Sequence, residues 1–500
     1  MILLGVAVFV ILQTAVGLYV ARRVAGSSTN FIVAGRGLIL PLAACTLMAQ
    51  AVDTNATLGN TDLTSQFGFW AGASLPIGLA LCLVITGLFF AKPMNRMGLM
   101  TLPDFFRKKY GRTVEVMASF IMILSFSILL AGNLVAGGYL IQTFLGTSYA
   151  AGVLLLALIL IIYTLPGGLL SDVYTSIIQI AAAFIAAISL LVWVGFNFGI
   201  SIPAGMGPLA LDQLTVPASG AYINWATLAA LGLGNLVAID FMQRVFAART
   251  PNTARRACFA GAIGTLAIGL PFSVIALSSG NVFRSLGIEA GGSPVLYTIL
   301  QEAAPPLLVI LVLSGIVAAS LSTGDGALLG VSAVSTRNIM GIREEEYVGS
   351  RDKLLLTTRI MMVPVALLAI FFALRVPETG ILLTLAFDVS LAALVVPFVL
   401  GLFWSKANAV AAIAAIFLGA ATRLVFFVLT PTIYGVENTF LYLENTLIPT
   451  GFDGLATFIS PLVGLSVFVT LALSTQDTYA PSEAHFGVRQ DLPESELLEV

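Results

Sequence analysis

Thirteen stretches of this chain are apolar and long enough, at about 20 residues each, to cross a bilayer as helices. They fall at 2–21, 38–58, 71–91, 114–140, 148–165, 173–196, 222–242, 256–278, 305–330, 354–374, 379–403, 407–430 and 453–474. A backbone inside hydrocarbon must satisfy its own polar groups, so such stretches are helical. The expected fold is therefore an all-α, polytopic membrane protein. Composition agrees: 58% of residues are hydrophobic and 10% charged, against about 25% charged in soluble domains. The first stretch is followed, not preceded, by basic residues ("ARR"), the reverse of a secretory signal.

Lysine and arginine give an orientation. Of 23 basic residues, 19 follow spans one, three, seven, nine and eleven or lie in the tail. Such a bias marks the cytoplasmic side. The N-terminus is expected outside and the C-terminus inside, in a cell (plasma or inner) membrane. Residues 1–476 read as one membrane domain and 477–500 as a mobile, mildly acidic cytoplasmic tail. On this count Arg244 belongs to a cytoplasmic loop, Arg359 sits near a cytoplasmic span end and Arg423 lies in a peripheral helix. No base is expected at mid-membrane depth.

Three spans carry polar or small residues where an ordinary membrane helix would not: "AQAVDTNATLG" in span two, "GLGNLVAIDFMQR" at the end of span seven and "AASLSTGDGALLG" in span nine. Irregular or polar segments at depth are tolerated only against protein or a water-filled cavity. Spans two and seven each open a set of five helices, about 37–196 and 222–403. An odd number of spans per set inverts the second relative to the first. Paired breaks at the start of inverted repeats point to the central site of a secondary transporter.

Other classes fit less well. The three cysteines, Cys45, Cys82 and Cys258, lie in apolar runs without metal or disulfide spacing, and His485, the one histidine, is in the tail. There is no nucleophile elbow, so an integral membrane enzyme is not expected. No repeated pore motif or ring of like residues suggests a channel.

Several motifs resemble the sodium:solute symporter family: "FIVAGRGL", "TLPDFFRKKYG", "YTLPGGLLSDVYTSIIQ", "QRVFAARTPNTARRA", "AASLSTGDGALLGVSAV" and "VPFVLGLFWSKANAVAA". They occur in the family's order across roughly residues 1–475. "GLFFAKPMNRMGLMTLPDFF" is similar to the choline-transporter branch, and the proline branch is also compatible. The resemblance implies the LeuT-type fold: ten core helices as a 5+5 inverted repeat, preceded by one helix and followed by two. It implies sodium-coupled symport of a small organic solute, here expected to bear an amine, as an amino acid does. A proton-coupled carrier of a small solute or carboxylate, or a sensor or channel without coupled flux, is the alternative. Expected partners are the small-molecule substrate, sodium and the lipid bilayer, with no nucleic acid and no obligate protein partner.

Carried over by motif, a sodium site joins the broken first core helix to the eighth. Its ligands would be the backbone carbonyls of Ala49, Val52 and Ala319 and the hydroxyls of Ser322 and Thr323. A hard cation takes several oxygens, and carbonyls freed by a helix break plus hydroxyls provide them. The bland alternative is that both hydroxyls bond back one turn along their own helix. The chain also departs from the family. Ser176 replaces the usual Asp of "YTD", and Gly326 replaces a Ser of the eighth core helix. Both lie near a second sodium site used by some members, so one sodium is expected. Asp172, one turn before Ser176, either compensates or is a solvated residue at a helix start.

The expected substrate contacts are Gln50, Asp53, Thr54 and Asn55 at the first break and Asn235 and Ala238 at the second. A carboxylate at the bilayer centre costs at least about 2.5–3.5 kcal/mol unless paired, protonated or wet. With no base expected nearby, Asp53 could meet a substrate ammonium or the sodium ion, carry a proton, or be a neutral structural acid. Ala238 stands where the choline branch has Trp, which argues against an aromatic choline cage. Asp240 could face either the cavity or the cytoplasmic vestibule, and Asp388 reads as a helix–helix hydrogen-bonding group.

Overall fold

The computed structural model describes residues 2–288, 294–343, 346–348, 351–378, 380–439, 441–475 and 489. The tail at 477–500 lies outside the described residues except for Arg489. That residue is buried against the membrane domain, its guanidinium donating to the Ala248 carbonyl at 3.0 Å.

Apolar composition is realised as helix along nearly the whole chain. The elements are α1 (Ile2–Ala21), α2 (Leu40–Ala51), α3 (Asn60–Phe67), α4 (Phe69–Ile85), α5 (Arg112–Leu145), α6 (Tyr149–Phe198), α7 (Ala221–Leu233), α8 (Ile239–Ala247), α9 (Pro251–Leu286), α10 (Pro306–Val334), α11 (Lys353–Arg375), α12 (Ile381–Ala393), α13 (Val395–Phe403), α14 (Ala409–Leu429) and α15 (Leu455–Ser474). Short helical turns and two β-hairpins of two-residue strands fill the connections. Among the described residues, nine helices are long and apolar enough to cross a membrane, or eleven when α7 with α8 and α12 with α13 are each taken as one bent span. That test does not by itself fix the number at thirteen.

Two features separate the sequence count from this one. The runs at 148–165 and 173–196 both lie in α6, where two helices follow one another without a loop. They meet at a kink at Gly168, with φ 50° and ψ −141°. Only glycine fits there, because a Cβ would sit 2.5 Å from the Phe31 carbonyl. Beside the break, Arg359 donates to the Pro166 carbonyl at 2.8 Å and lies over the Phe31 ring. The second feature is the span expected at 38–58. It is two short helices, α2 and α3, joined through Val52–Thr54 and a wide helical turn at Asn55–Gly59.

Burial sorts the helices into centre and rim. In the most apolar window of α10, 78% of residues are buried, against 17% in that of α1. Helix α10 therefore runs through the middle, packed on α5, α6 and α11, with α2 and α8 against its face.

At the basic end, polar side chains lock the ends of α5 and α10 together. Asp104, in the short helix Pro103–Tyr110 that precedes α5, accepts from Arg337 at 2.8 Å, from Asn338 at 3.0 Å and from Arg343 at 3.1 Å. Glu115, in the first turn of α5, accepts from Arg112, Asn338 and Arg343. Burial pushes the Asp104 carboxyl up, but the Arg337 and Arg343 charges outweigh it and hold it below the ordinary carboxylate range.

Candidate sodium and substrate site

The first break begins where the α2 ladder stops. Val52 still donates its N–H to the Met48 carbonyl at 2.9 Å, then turns out of helical geometry at φ −96°, ψ 77°. The carbonyls of the last turn of α2 are thereby left without helical donors. The chain re-enters helix at Thr54, and Asp53 caps the restart: its Oδ1 accepts the Ala56 N–H and its Oδ2 the Asn55 side-chain N–H, both at 2.7 Å. An acid at a helix N-terminus also meets the positive end of the helix dipole. Asp53 thus has fixed hydrogen-bond partners, and among the described residues no cation is one of them. Thr54 donates to the Asn133 side chain on α5 at 2.9 Å, and Asn55 accepts the Gly380 N–H at 3.2 Å.

Helix α10 faces this break. The Thr323 hydroxyl stands 3.4 Å from the Ala49 carbonyl and 3.4 Å from the Gln50 carbonyl. These distances are long for an O–H···O hydrogen bond, which prefers about 2.5–3.0 Å. They suit oxygens sharing a cation: with metal–oxygen distances of about 2.4 Å, neighbouring ligands at right angles stand about 3.4 Å apart. Hydroxyls elsewhere in the bundle bond back four residues, as Ser332 in α10 does to Leu328, Thr265 in α9 to Gly261 and Ser176 in α6 to Asp172. Ser322 and Thr323 do not. Ser322 meets Asp172 Oδ1 at 3.3 Å and receives the Gln50 amide at 3.3 Å; that amide also reaches the Ser322 carbonyl at 2.7 Å. Ala319, one turn before Thr323, and Val52 are buried in the same region.

An ion pair that the sequence did not reveal supports this cage from the basic end. Arg244 is fully buried, and its Nη2 meets Asp172 Oδ2 at 2.5 Å. Its Nε donates to Thr46 on α2 at 3.2 Å and its Nη1 to the Asp240 carbonyl at 3.0 Å. Arg244 is therefore no loop charge, and Asp172 is no solvated residue. One connected chain of contacts runs Arg244–Asp172–Ser322–Gln50 across α8, α6, α10 and α2. Gly326 makes the approach possible, because a Cβ there would collide with the Gln50 Oε1 and crowd Arg244 Nη2. Asp325 is buried beside the same pair. Asp388 bonds helix to helix as its reading expected: Arg423 Nε donates to its Oδ2 at 2.6 Å, and both are buried between α12 and α14.

The second break is a tight turn at Gly234–Val237, after which Ala238 adopts extended geometry and α8 begins. Both breaks pack against α12. Asn235 is buried in this turn, and neither its amide nitrogen nor its oxygen has a hydrogen-bond partner among the described residues. Buried amides are normally satisfied, so an orphan at a helix break marks the place of a ligand or water. Asp240 is buried with its carboxylate on the Phe241 N–H. Gln50, Asp53, Thr54, Asn55 and Ala238 are all buried as well.

Comparison with known proteins fits this geometry. The model of the sodium:solute symporter family matches residues 31–419, and the chain belongs to that family. High affinity choline transporter 1 of Homo sapiens is 28% identical over 67% of this chain. That match spans about three fifths (61%) of the choline transporter's own length. The sodium/pantothenate symporter of Haemophilus influenzae is 24% identical over 89% of this chain and 92% of its own. A solved structure described as the substrate-bound outward-open state of a Na+-coupled sialic acid symporter aligns with a TM-score of 0.75, covering 96% of this chain and 99% of that one at 15% identity. That likeness shows the LeuT-type fold.

Proposed function

We propose that this protein is a sodium-driven symporter of a small organic solute bearing an amine, working by alternating access, with its basic end and C-terminus in the cytoplasm. The observation that carries the sodium site is the Thr323 hydroxyl standing 3.4 Å from two α2 carbonyls at a helix break. The ligands would be the carbonyls of Ala49, Val52 and Ala319 and the hydroxyls of Ser322 and Thr323. The solute would lie between the two breaks, where Asn235 offers an unused donor and acceptor. Asp53, which caps its helix through the Ala56 N–H and the Asn55 amide, would be the acid that meets the ammonium. Arg244 and Arg423 are both engaged with acids, which leaves neither free to hold a carboxylate solute and favours an amine.

Reconstitution into proteoliposomes tests this. An inward sodium gradient should drive accumulation of an amine-bearing solute drawn from a panel of amino acids, small amines and acids. Accumulation driven equally by a proton gradient without sodium would overturn it.

A further inference from the structure

Away from the central site, a cavity of about 740 Å³ opens between α5, α12 and α14, closed at one end by the turn before α12 and the segment 433–439. Its size is that of a small-molecule pocket, roughly 300–1,000 Å³. Leu124, Phe417 and Leu424 line it and are 41%, 64% and 55% exposed, so its wall continues onto the outer face of the helix bundle. In a membrane that face meets lipid.

The mouth is polar and unbalanced. Arg423, Glu378 and Glu437 line the cavity at the end away from the basic loops. The Arg423 charge is taken by Asp388, and its guanidinium plane is covered by the Phe427 ring at 3.8 Å. The two exposed glutamates are left to set the sign.

The rear wall touches the central site. Ile381 and Leu382 line the cavity and form the first turn of α12. The residue before them, Gly380, donates its N–H to Asn55 Oδ1, and Asn55 in turn holds Asp53. Leu382 and Asn55 also pack against the same face of Gly132.

We propose that this cavity holds an acyl chain of a phospholipid with a primary ammonium headgroup, of the phosphatidylethanolamine class, and that its occupancy steadies the first turn of α12 against Asn55. Lipid tails are as apolar as leucine, so the walls alone give no preference among lipids. The headgroup decides. A primary ammonium donates charge-assisted hydrogen bonds to Glu378 and Glu437. A choline headgroup has no N–H to donate, and an anionic glycerol headgroup is repelled.

Two measurements test this on the full chain. Purified protein equilibrated with vesicles of dioleoyl phosphatidylethanolamine, phosphatidylcholine or phosphatidylglycerol is examined by native mass spectrometry. The wild type should retain one phosphatidylethanolamine several-fold more often than either competitor. The surface pair Glu378→Gln/Glu437→Gln should lose that preference, and Ala420→Trp, which fills the cavity, should lose the retained lipid. Amide exchange at Gly380–Leu385 should also be several-fold slower in phosphatidylethanolamine than in phosphatidylcholine vesicles, and only in the wild type. Equal retention of the three lipids by the wild type, a preference for the anionic one, a preference that survives both variants, or exchange indifferent to headgroup would each overturn the proposal.

Discussion

At the scale of single residues, Thr323 and Asp53 separate what the sequence disclosed from what it hid. The motif points Thr323 to a sodium site, and its contacts are with carbonyls of the broken segment, a break visible as small and polar residues in an apolar run. The Thr323→Ala variant should raise the sodium concentration for half-maximal transport at least several-fold, read from uptake against sodium. Folding should survive, since a lost hydroxyl contact in a membrane costs about 0.6 kcal/mol on average. Asp53 was conspicuous for its cost, but its cap on Ala56 depends on backbone geometry that composition does not encode. Asp53→Asn keeps an acceptor for the Ala56 N–H and removes the charge. If an amine meets this carboxylate, solute affinity should fall by the roughly 2–5 kcal/mol of a broken charged pair, about 30-fold to several-thousand-fold, with sodium binding changed less. Unaltered solute affinity would leave Asp53 as a helix cap alone.

At the scale of elements, the ion pairs were the least legible part. Asp172 and Arg244 are 72 residues apart in sequence and Asp388 and Arg423 are 35 apart. Hydropathy records that a residue is charged, not which face of its helix it occupies, so Arg244 was counted with the cytoplasmic loops. A usable signal was present on one side only: Arg244 follows Asp240 by one turn in the segment that carries the second break, whereas Asp172 falls between two apolar runs. The network at Asp104 makes a testable statement about pH. Its carboxyl is held below the ordinary value of about 3.9. The stability it contributes is therefore complete above that value and is lost only as pH falls through the lowered one. Melting of the purified protein should owe nothing to Asp104 titration between neutrality and mildly acid pH. Asp104→Asn should destabilise at neutral pH by about 3–5 kcal/mol, because it leaves buried arginine charge uncompensated. A melting temperature unchanged by that substitution would refute the assignment of this lock.

At the scale of the whole molecule, the helical class and the two broken spans were legible because bilayer thickness and backbone satisfaction dictate them. The junction at Gly168 was not, since two spans joined without a loop read as two spans. The arrangement also speaks to stoichiometry. Asp172 is committed to Arg244, the Ser176 hydroxyl bonds back to the Asp172 carbonyl at 2.8 Å, and Gly326 offers no side chain. The Asp325 carboxylate beside this pair has no hydrogen-bond partner among the described residues, so the expectation of one sodium rests on the missing Asp and Ser side chains, and transport rate against sodium should follow a Hill coefficient near one. A coefficient approaching two that persists in Asp172→Ala would contradict this. The central claim is that sodium is held between the break after α2 and the hydroxyls of α10. Equilibrium binding of radiolabelled sodium to the purified protein, without any solute, tests it most directly. The wild type should bind about one sodium per chain, and a folded Ser322→Ala/Thr323→Ala double variant should bind it many-fold more weakly. Undiminished sodium binding by that variant would contradict the account.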